Sequence, residues 1–238
     1  MKKEPFISVI VPTFNEEKYI EPTLKALRGQ DYNGKYEIIV ADGMSKDNTV
    51  KIAKKYADKI VLVKKKGIAA GRNEGAKIAK GNIFLFIDAD TIVLYNTISK
   101  IVKTFQKKDV VAATCAIMPL SSKNKNFTLY LIFNQFVKAS LKTTKPQIAG
   151  ICCAFRREAF EKVYGFDERL ETAEDFDLAE RISKLGKVVF VEDTLVITSP
   201  RRLDAWGATK SARRYITHYF NYLLTGNGLS MKKYRPIR

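Results

Sequence analysis

Histidine, cysteine and long apolar runs are what this 238-residue chain has least of. Its one histidine, His218, lies near the C-terminus, which disfavours both a Ser-His-Asp hydrolase and a zinc centre. Three cysteines give no even disulfide framework. The adjacent Cys152-Cys153 pair has neither CxxC redox spacing nor a zinc-finger pattern, which points to a reducing cytosol. No uninterrupted apolar stretch reaches the roughly 18 to 20 residues that a membrane-spanning helix needs. The opening Lys2-Lys3 runs straight into a strand-like segment, without the apolar region and cleavage site of a signal peptide. The expectation is a cytoplasmic protein, either soluble or peripheral at the inner face of the membrane. Acidic residues are also in deficit, 25 against 42 basic ones. The resulting formal charge of +17 favours polyanionic partners, whether nucleic acid, anionic lipid or phosphorylated ligands, without choosing among them. Internal repeats and low-complexity tracts are missing too.

What the chain does have is 46% hydrophobic residues, enough for a packed core. Short apolar runs at Phe6 to Val11, Tyr36 to Ala41, Ile60 to Val63 and Ile83 to Ile87 read as buried strands. Between them, Tyr19 to Leu27, Val50 to Tyr56 and Ala69 to Ala79 carry helical periodicity. This alternation predicts an α/β fold with a mostly parallel central sheet flanked by helices. After about residue 109 the pattern loosens. It gives a strand at Val110 to Ile117, an apolar helix at Phe127 to Leu141, a strand near Ile148 to Phe155, a helix from Glu174 and a strand at Val188 to Val191. We read residues 1–200 as one domain with two functional halves, 1–112 and 113–200. Residues 201–238 read as a basic, aromatic C-terminal helix and tail.

In such sheets ligands bind beyond the carboxyl ends of the strands. Those ends are polar here: Pro12-Thr13-Phe14-Asn15-Glu16, Asp42-Gly43 and Asp88-Ala89-Asp90. Alternate side chains of an extended segment share a face, so Asp88 and Asp90 can address one site. Two such carboxylates call for a cation, and Mg²⁺ or Mn²⁺ is typically held by one or two carboxylates plus phosphate oxygens. Asp42 precedes a helix start, with Ser45 or Asp47 as N-cap, and is expected to be free to accept hydrogen bonds from a base or ribose. The glycine-rich stretch Gly67 to Gly75 allows close backbone approach and offers Arg72 to a phosphate. It matches neither GxGxxG nor a P-loop. Glu174-Asp175 opens a helix, where acidic residues serve as dipole partners; beside a metal-diphosphate site they also supply a general base.

Taken together these residues resemble the large family two of inverting glycosyltransferases, with the nucleotide-sugar-binding fold called GT-A. The resemblance is carried by Val9-Ile10-Val11-Pro12-Thr13-Phe14-Asn15-Glu16-Glu17, Asp42-Gly43, Ala70-Gly71-Arg72-Asn73-Glu74-Gly75, Asp88-Ala89-Asp90, Gly165-Phe166-Asp167-Glu168 and Glu174-Asp175, in order. It covers about residues 6 to 198. It implies that Pro12, Phe14, Glu16, Asp42, Arg72 and Asp88 hold the nucleotide, and that Asp90 and Asp88 hold Mn²⁺ or Mg²⁺. Asp175, with Glu174 beside it, would be the catalytic base. Gly43-Met44 departs from the Asp-Gly that many members carry, which leaves the nucleotide preference open. The implied donor is a UDP- or GDP-linked sugar, and the acceptor a glycan hydroxyl or lipid phosphate.

Arg201 and Arg202, directly after Pro200, could close over the diphosphate or form a basic surface corner. The segment 127–141 is too apolar around its circumference for an ordinary surface helix, and so must be buried or interfacial. Downstream, Arg213, Arg214, Tyr215, Ile216, Tyr219, Phe220, Leu223 and Leu224 place bases beside an apolar face, as in a helix lying on an anionic membrane. Packing on the domain, or an interface in an oligomer, is the other reading of both segments. A sugar nucleotidyltransferase would carry a glycine- and lysine/arginine-rich N-terminal loop, which is missing. A nucleic-acid-binding module finds no recognised motif, and the acidic strand ends would repel its phosphates.

Overall fold

A computed structural model describes residues 4–226. Residues 1–3, with the Lys2-Lys3 opening, and 227–238, the end of the expected tail, lie outside the described residues. Strand β1 (Ile7–Thr13) is buried along its whole length, as befits a branched apolar run covered on both faces. In helix α1 (Ile20–Arg28), Ile20, Leu24 and Leu27 form the buried stripe, with Glu21 in the first turn and Lys25 and Arg28 in the last opposing the helix dipole. Then follow β2 (Tyr36–Asp42), α2 (Thr49–Ala53), β3 (Lys59–Leu62), α3 (Ile68–Lys77), β4 (Ile83–Ile87), β5 (Thr91–Val93) and α4 (Thr97–Thr104). The second half comprises β6 (Val110–Pro119), α5 (Asn124–Ser140), β7 (Cys152–Arg156), α6 (Arg157–Lys162), α7 (Glu174–Ser183), β8 (Lys187–Thr198), α8 (Arg201–Trp206) and α9 (Ala208–Thr225).

The eight strands make one sheet in the order β3-β2-β1-β4-β7-β6-β8-β5. β1 to β4, β6 and β8 run in one direction, while β7 and β5 run against them. The sheet is therefore mixed, and the two reversals position the site. β7 pairs Cys152 with Ile87, so the residues just before β7 lie beside the carboxyl end of β4. β5 pairs Thr91 with Thr198, so the chain leaving β8 returns to that same end.

Side chains alternate across the sheet. Val9, Val11, Val40 and Leu85 join the core that includes α1 and α4; Ile10, Ile39, Phe84 and Phe86 join the one that includes α3, α6 and α7. Helix α3 sits unusually close to β1. A Cβ on Gly75 would stand 2.5 Å from Ile10 Cγ2, and one on Gly71 3.4 Å from Pro12 Cβ. The small residues expected to admit a ligand's phosphate thus admit β1 instead. Cys115, Cys152 and Cys153 are buried free thiols. Among the described residues no helix is long and apolar enough to cross a membrane.

Candidate active site

The loops after β1 and β2 are laced together at the sheet edge. Asn15 N–H donates to Ser45 Oγ (2.8 Å), Lys46 N–H to Asn15 Oδ1 (2.9 Å) and Glu16 N–H to Thr49 Oγ1 (2.8 Å). Asp42 is fully buried beneath this lacing. It accepts hydrogen bonds from Thr13 Oγ1 (3.1 Å), Ser45 Oγ (2.6 Å) and Ser45 N–H (2.8 Å). With neighbouring hydroxyls and an amide in reach, its carboxylate organises the loop. Neither Ser45 nor Asp47 is the N-cap of α2; Asn48 holds that position without a side-chain cap bond. Asp47 Oδ1 instead accepts from Thr49 N–H and Oγ1. Pro12 is buried, whereas Phe14 is 40% exposed and leaves its ring at the mouth of the crevice.

Arg72 projects from α3 into the interior and is 1% exposed. Its guanidinium donates to Glu174 Oε1 (2.7 Å), Asp88 Oδ1 (3.1 Å) and the Gly150 carbonyl (2.8 Å), and it lies 5.1 Å from the centre of the Phe166 ring. Its two Nη atoms thus serve two carboxylates and a carbonyl, while the buried Nε has no hydrogen-bond partner. Arg72 joins the β4 end, the start of β7 and the start of α7. The next residue, Asn73, does the same for the following loop: its amide donates to the Phe166 carbonyl (2.9 Å) and Glu168 Oε1 (2.8 Å) and accepts from Phe166 N–H (3.0 Å).

Glu174 and Asp175 open α7 directly after Ala173, whose φ of 67° is left-handed. Asp175 Oδ2 accepts the Gly150 N–H (2.9 Å) and Oδ1 its neighbour Phe176 N–H (3.0 Å). Gly150 is obligatory here, since a Cβ would sit 2.8 Å from Arg72 Nη2 and 2.9 Å from Asp175 Oδ2. Burial pushes the Glu174 carboxyl up to about 7, with the Asp175 charge adding and Arg72 opposing. Burial likewise raises Asp175, against the pull of Arg72 and the two N–H donors.

At the other edge Arg201 reaches across from α8. It bonds both Glu16 oxygens (2.8 and 3.0 Å) and pairs with Asp90 Oδ2 at 3.0 Å. Arg202 lies near enough for its charge to act on Asp90. Burial lifts Asp90 to about 6, with Arg201 opposing and Asp88 and Glu16 adding. Glu16, expected at the nucleoside, is nearly buried under the Arg201 fork. Glu16 and Asp90 thus meet at Arg201, with Asp88 near enough for its charge to act on Asp90. Such hard oxygen donors suit a hard divalent cation. Among the described residues no group of three or more His, Cys, Asp or Glu forms a metal cage. One or two carboxylates with ligand phosphates is the arrangement this set can offer.

Sequence reasoning missed Gly150 and Asn73 as site builders. A glycine just before a strand is the one signal Gly150 gives. The Glu16–Arg201 bridge, 185 residues apart in sequence, leaves no local signal.

Residues 8–164 match the pattern described as Glycosyl transferase family 2. The chain belongs to that family. Family 2 membership makes it a glycosyltransferase, and similar proteins agree. It is 26% identical over 225 residues to the uncharacterized glycosyltransferase RP339 of Rickettsia prowazekii, covering 90% of this chain and 69% of that one. It is 26% identical over 256 residues to a dolichyl N-acetyl-alpha-D-glucosaminyl phosphate 3-beta-D-2,3-diacetamido-2,3-dideoxy-beta-D-glucuronosyltransferase of Methanococcus voltae, covering 96% of this chain and 74% of that protein. Among solved structures, the mannosyltransferase PcManGT from Pyrobaculum calidifontis, in complex with GDP-Man and Mn²⁺, superposes with a TM-score of 0.67 at 27% identity. The match covers 82% of this chain and 57% of PcManGT, so this chain spans little more than half of its length. S. aureus TarS in complex with UDP-GlcNAc, at 22% identity and a TM-score of 0.65, shares the fold.

Proposed function

We propose that this family 2 glycosyltransferase moves a sugar, with inversion, from a UDP- or GDP-linked donor to an acceptor hydroxyl or lipid phosphate. The observation that carries this reading is the junction at Arg72, where the β4-end aspartates and the α7 carboxylate pair are brought to one crevice from opposite halves of the chain. Residues 1–112 would take the donor and 113–200 the acceptor, with Phe14 offering its exposed ring to the nucleoside.

Asp90, with Asp88, would hold Mn²⁺ or Mg²⁺; bound there, the ion neutralises charge that builds on the departing nucleoside diphosphate. PcManGT, crystallised with GDP-Man and Mn²⁺, supports this. Asp175 takes the acceptor proton. Its orientation is fixed by the Gly150 and Phe176 N–H groups, and its burial raises its proton affinity toward the working range of a general base. Glu174 holds Arg72 in place beside it. Arg201, which lies beside Glu16 and Asp90, would offer its fork to the diphosphate of a bound donor.

Thermal unfolding against a panel of UDP-, GDP- and dTDP-sugars, with and without Mn²⁺, tests this, because a ligand of the folded state raises apparent stability. Stabilisation by one donor class is expected only with the cation, and Asp90→Asn should abolish most of that dependence. Full donor binding and turnover in excess EDTA would overturn the metal assignment.

A further inference from the structure

Helices α5 and α9 bury several polar side chains and expose large apolar ones. The buried residues of α5 are Asn126, Asn134, Val137 and Ser140, and those of α9 are Ser211, His218 and Tyr222. Asn134 shows why: its side chain accepts from Ile117 N–H (3.0 Å) and donates to the Ile117 carbonyl (2.9 Å), capping β6. Tyr130 and Phe133 also pack on the core, yet a second set of large apolar side chains faces out. Leu131, Ile132 and Phe136 on α5 are 54%, 62% and 38% exposed. Ile216, Phe220 and Leu224 on α9, spaced by four and so on one stripe, are 58%, 55% and 84% exposed. The helices touch through Phe136 and Tyr219, whose ring centroids lie 5.0 Å apart, so the two apolar faces adjoin. A helix bathed in water on that side would reverse this pattern, as α1 does.

Charge identifies what covers the face. Neither helix contains an acidic residue, and each carries exposed bases beside its stripe, Lys125 on α5 and Lys210 and Arg213 on α9. A second copy would present the same positive rim and be repelled, whereas an anionic surface is attracted. On its inner side α9 packs on Phe176, whose ring lies 5.9 Å from His218, 5.8 Å from Tyr219 and 6.0 Å from Tyr222. Phe176 follows Asp175 directly, so about one helix diameter, ~10 Å, separates the apolar face from the acceptor carboxylate's element.

We infer that the outer face of α5 and α9 docks on an anionic lipid bilayer and presents Asp175 to acceptors anchored in that bilayer. The second clause rests on the proposed transfer; the first does not. The apolar stripes enter the headgroup boundary and the bases bind its anionic lipids. Flotation of the full chain with vesicles of phosphatidylcholine containing phosphatidylglycerol, against pure phosphatidylcholine, tests it at low and high salt. Co-migration is expected with the anionic vesicles and should weaken with salt. Phe220→Glu and, on the other helix, Ile132→Glu should each weaken partition by about tenfold or more, the factor that one large buried apolar side chain supplies. Both positions are exposed, so unchanged thermal unfolding and donor binding should accompany the loss. Absence of flotation at low salt, or flotation unaltered in both variants, overturns the inference. A concentration-dependent dimer that Phe220→Glu dissociates, without vesicle binding, would assign the face to a second copy instead. Calorimetry with nucleotide sugars in vesicle-free buffer separates the two claims: a chain that floats but binds no donor fails the transfer reading alone.

Discussion

Two arginines each bridge two carboxylates in this crevice, and they do it under different conditions. Arg72 is sealed in the core, with Glu174, Asp88 and the Gly150 carbonyl filling its fork. Arg201 sits at the mouth, its side chain 15% exposed, between Glu16 and Asp90. The first is a fixed strut between the two halves. The second is a partly exposed ion pair at the edge of the site. Depth alone makes the difference, because a charge buried without escape to water must keep its partners, whereas one near the surface can exchange them.

Removing Arg72 is the severest way to test that contrast. Arg72→Met should destabilise the fold by about 3–5 kcal/mol, the cost of leaving buried carboxylates uncompensated, as read by urea unfolding. Millimolar Mn²⁺ should restore little of it, since Glu174 is not offered to the crevice mouth. A mild loss, or full rescue by Mn²⁺, would break the distinction. Next in size is the chemistry beside that strut. Asp175→Asn should lower kcat by about 10² or more while donor affinity holds, and loss of donor binding in calorimetry would place Asp175 on the donor side.

The same carboxyl pair sets a pH dependence. Burial raises Asp175 above the ordinary carboxylate range, so turnover should fall as pH drops and this base becomes protonated. Stability moves the opposite way. The folded state binds protons more tightly than the unfolded chain, so Glu174's contribution is full below about 4.5 and is lost as pH rises toward about 7. A pH–rate profile flat from 5 to 8 (~) would refute this assignment.

Arg201→Ala should have the smallest effect, about 1–2 kcal/mol in metal-free buffer, because part of the uncompensated charge is solvated. Here Mn²⁺ should recover the loss. Affinity for the nucleoside diphosphate with Mn²⁺ present should fall about tenfold, the worth of one charge-assisted pair.

The first four strands and three helices, each built of local sequence, were legible nearly to the residue, β4 entirely so. So were the family and the list of polar strand ends. Hidden were the reversals of β5 and β7, because three to five apolar residues carry no mark of direction. With them went the partners of the named residues. Arg72 was visible as a candidate, but whether its fork meets a ligand or Glu174 depends on a residue 102 positions away. The partners of Asp42 went unforeseen for a simpler reason: Thr13 and Ser45, which bond to it, are ordinary turn and strand-end residues.

The return of β8 to β5 also sets a timetable. Glu16 emerges from the ribosome 185 residues ahead of Arg201. At about 5–20 residues per second, that interval is roughly 10 to 40 s. Throughout it the nascent chain holds Glu16, and later Asp88 and Asp90, with no arginine from α8 to neutralise them. Arg72, already made, can serve Asp88, but Glu16 and Asp90 wait for their arginine until the chain is nearly finished.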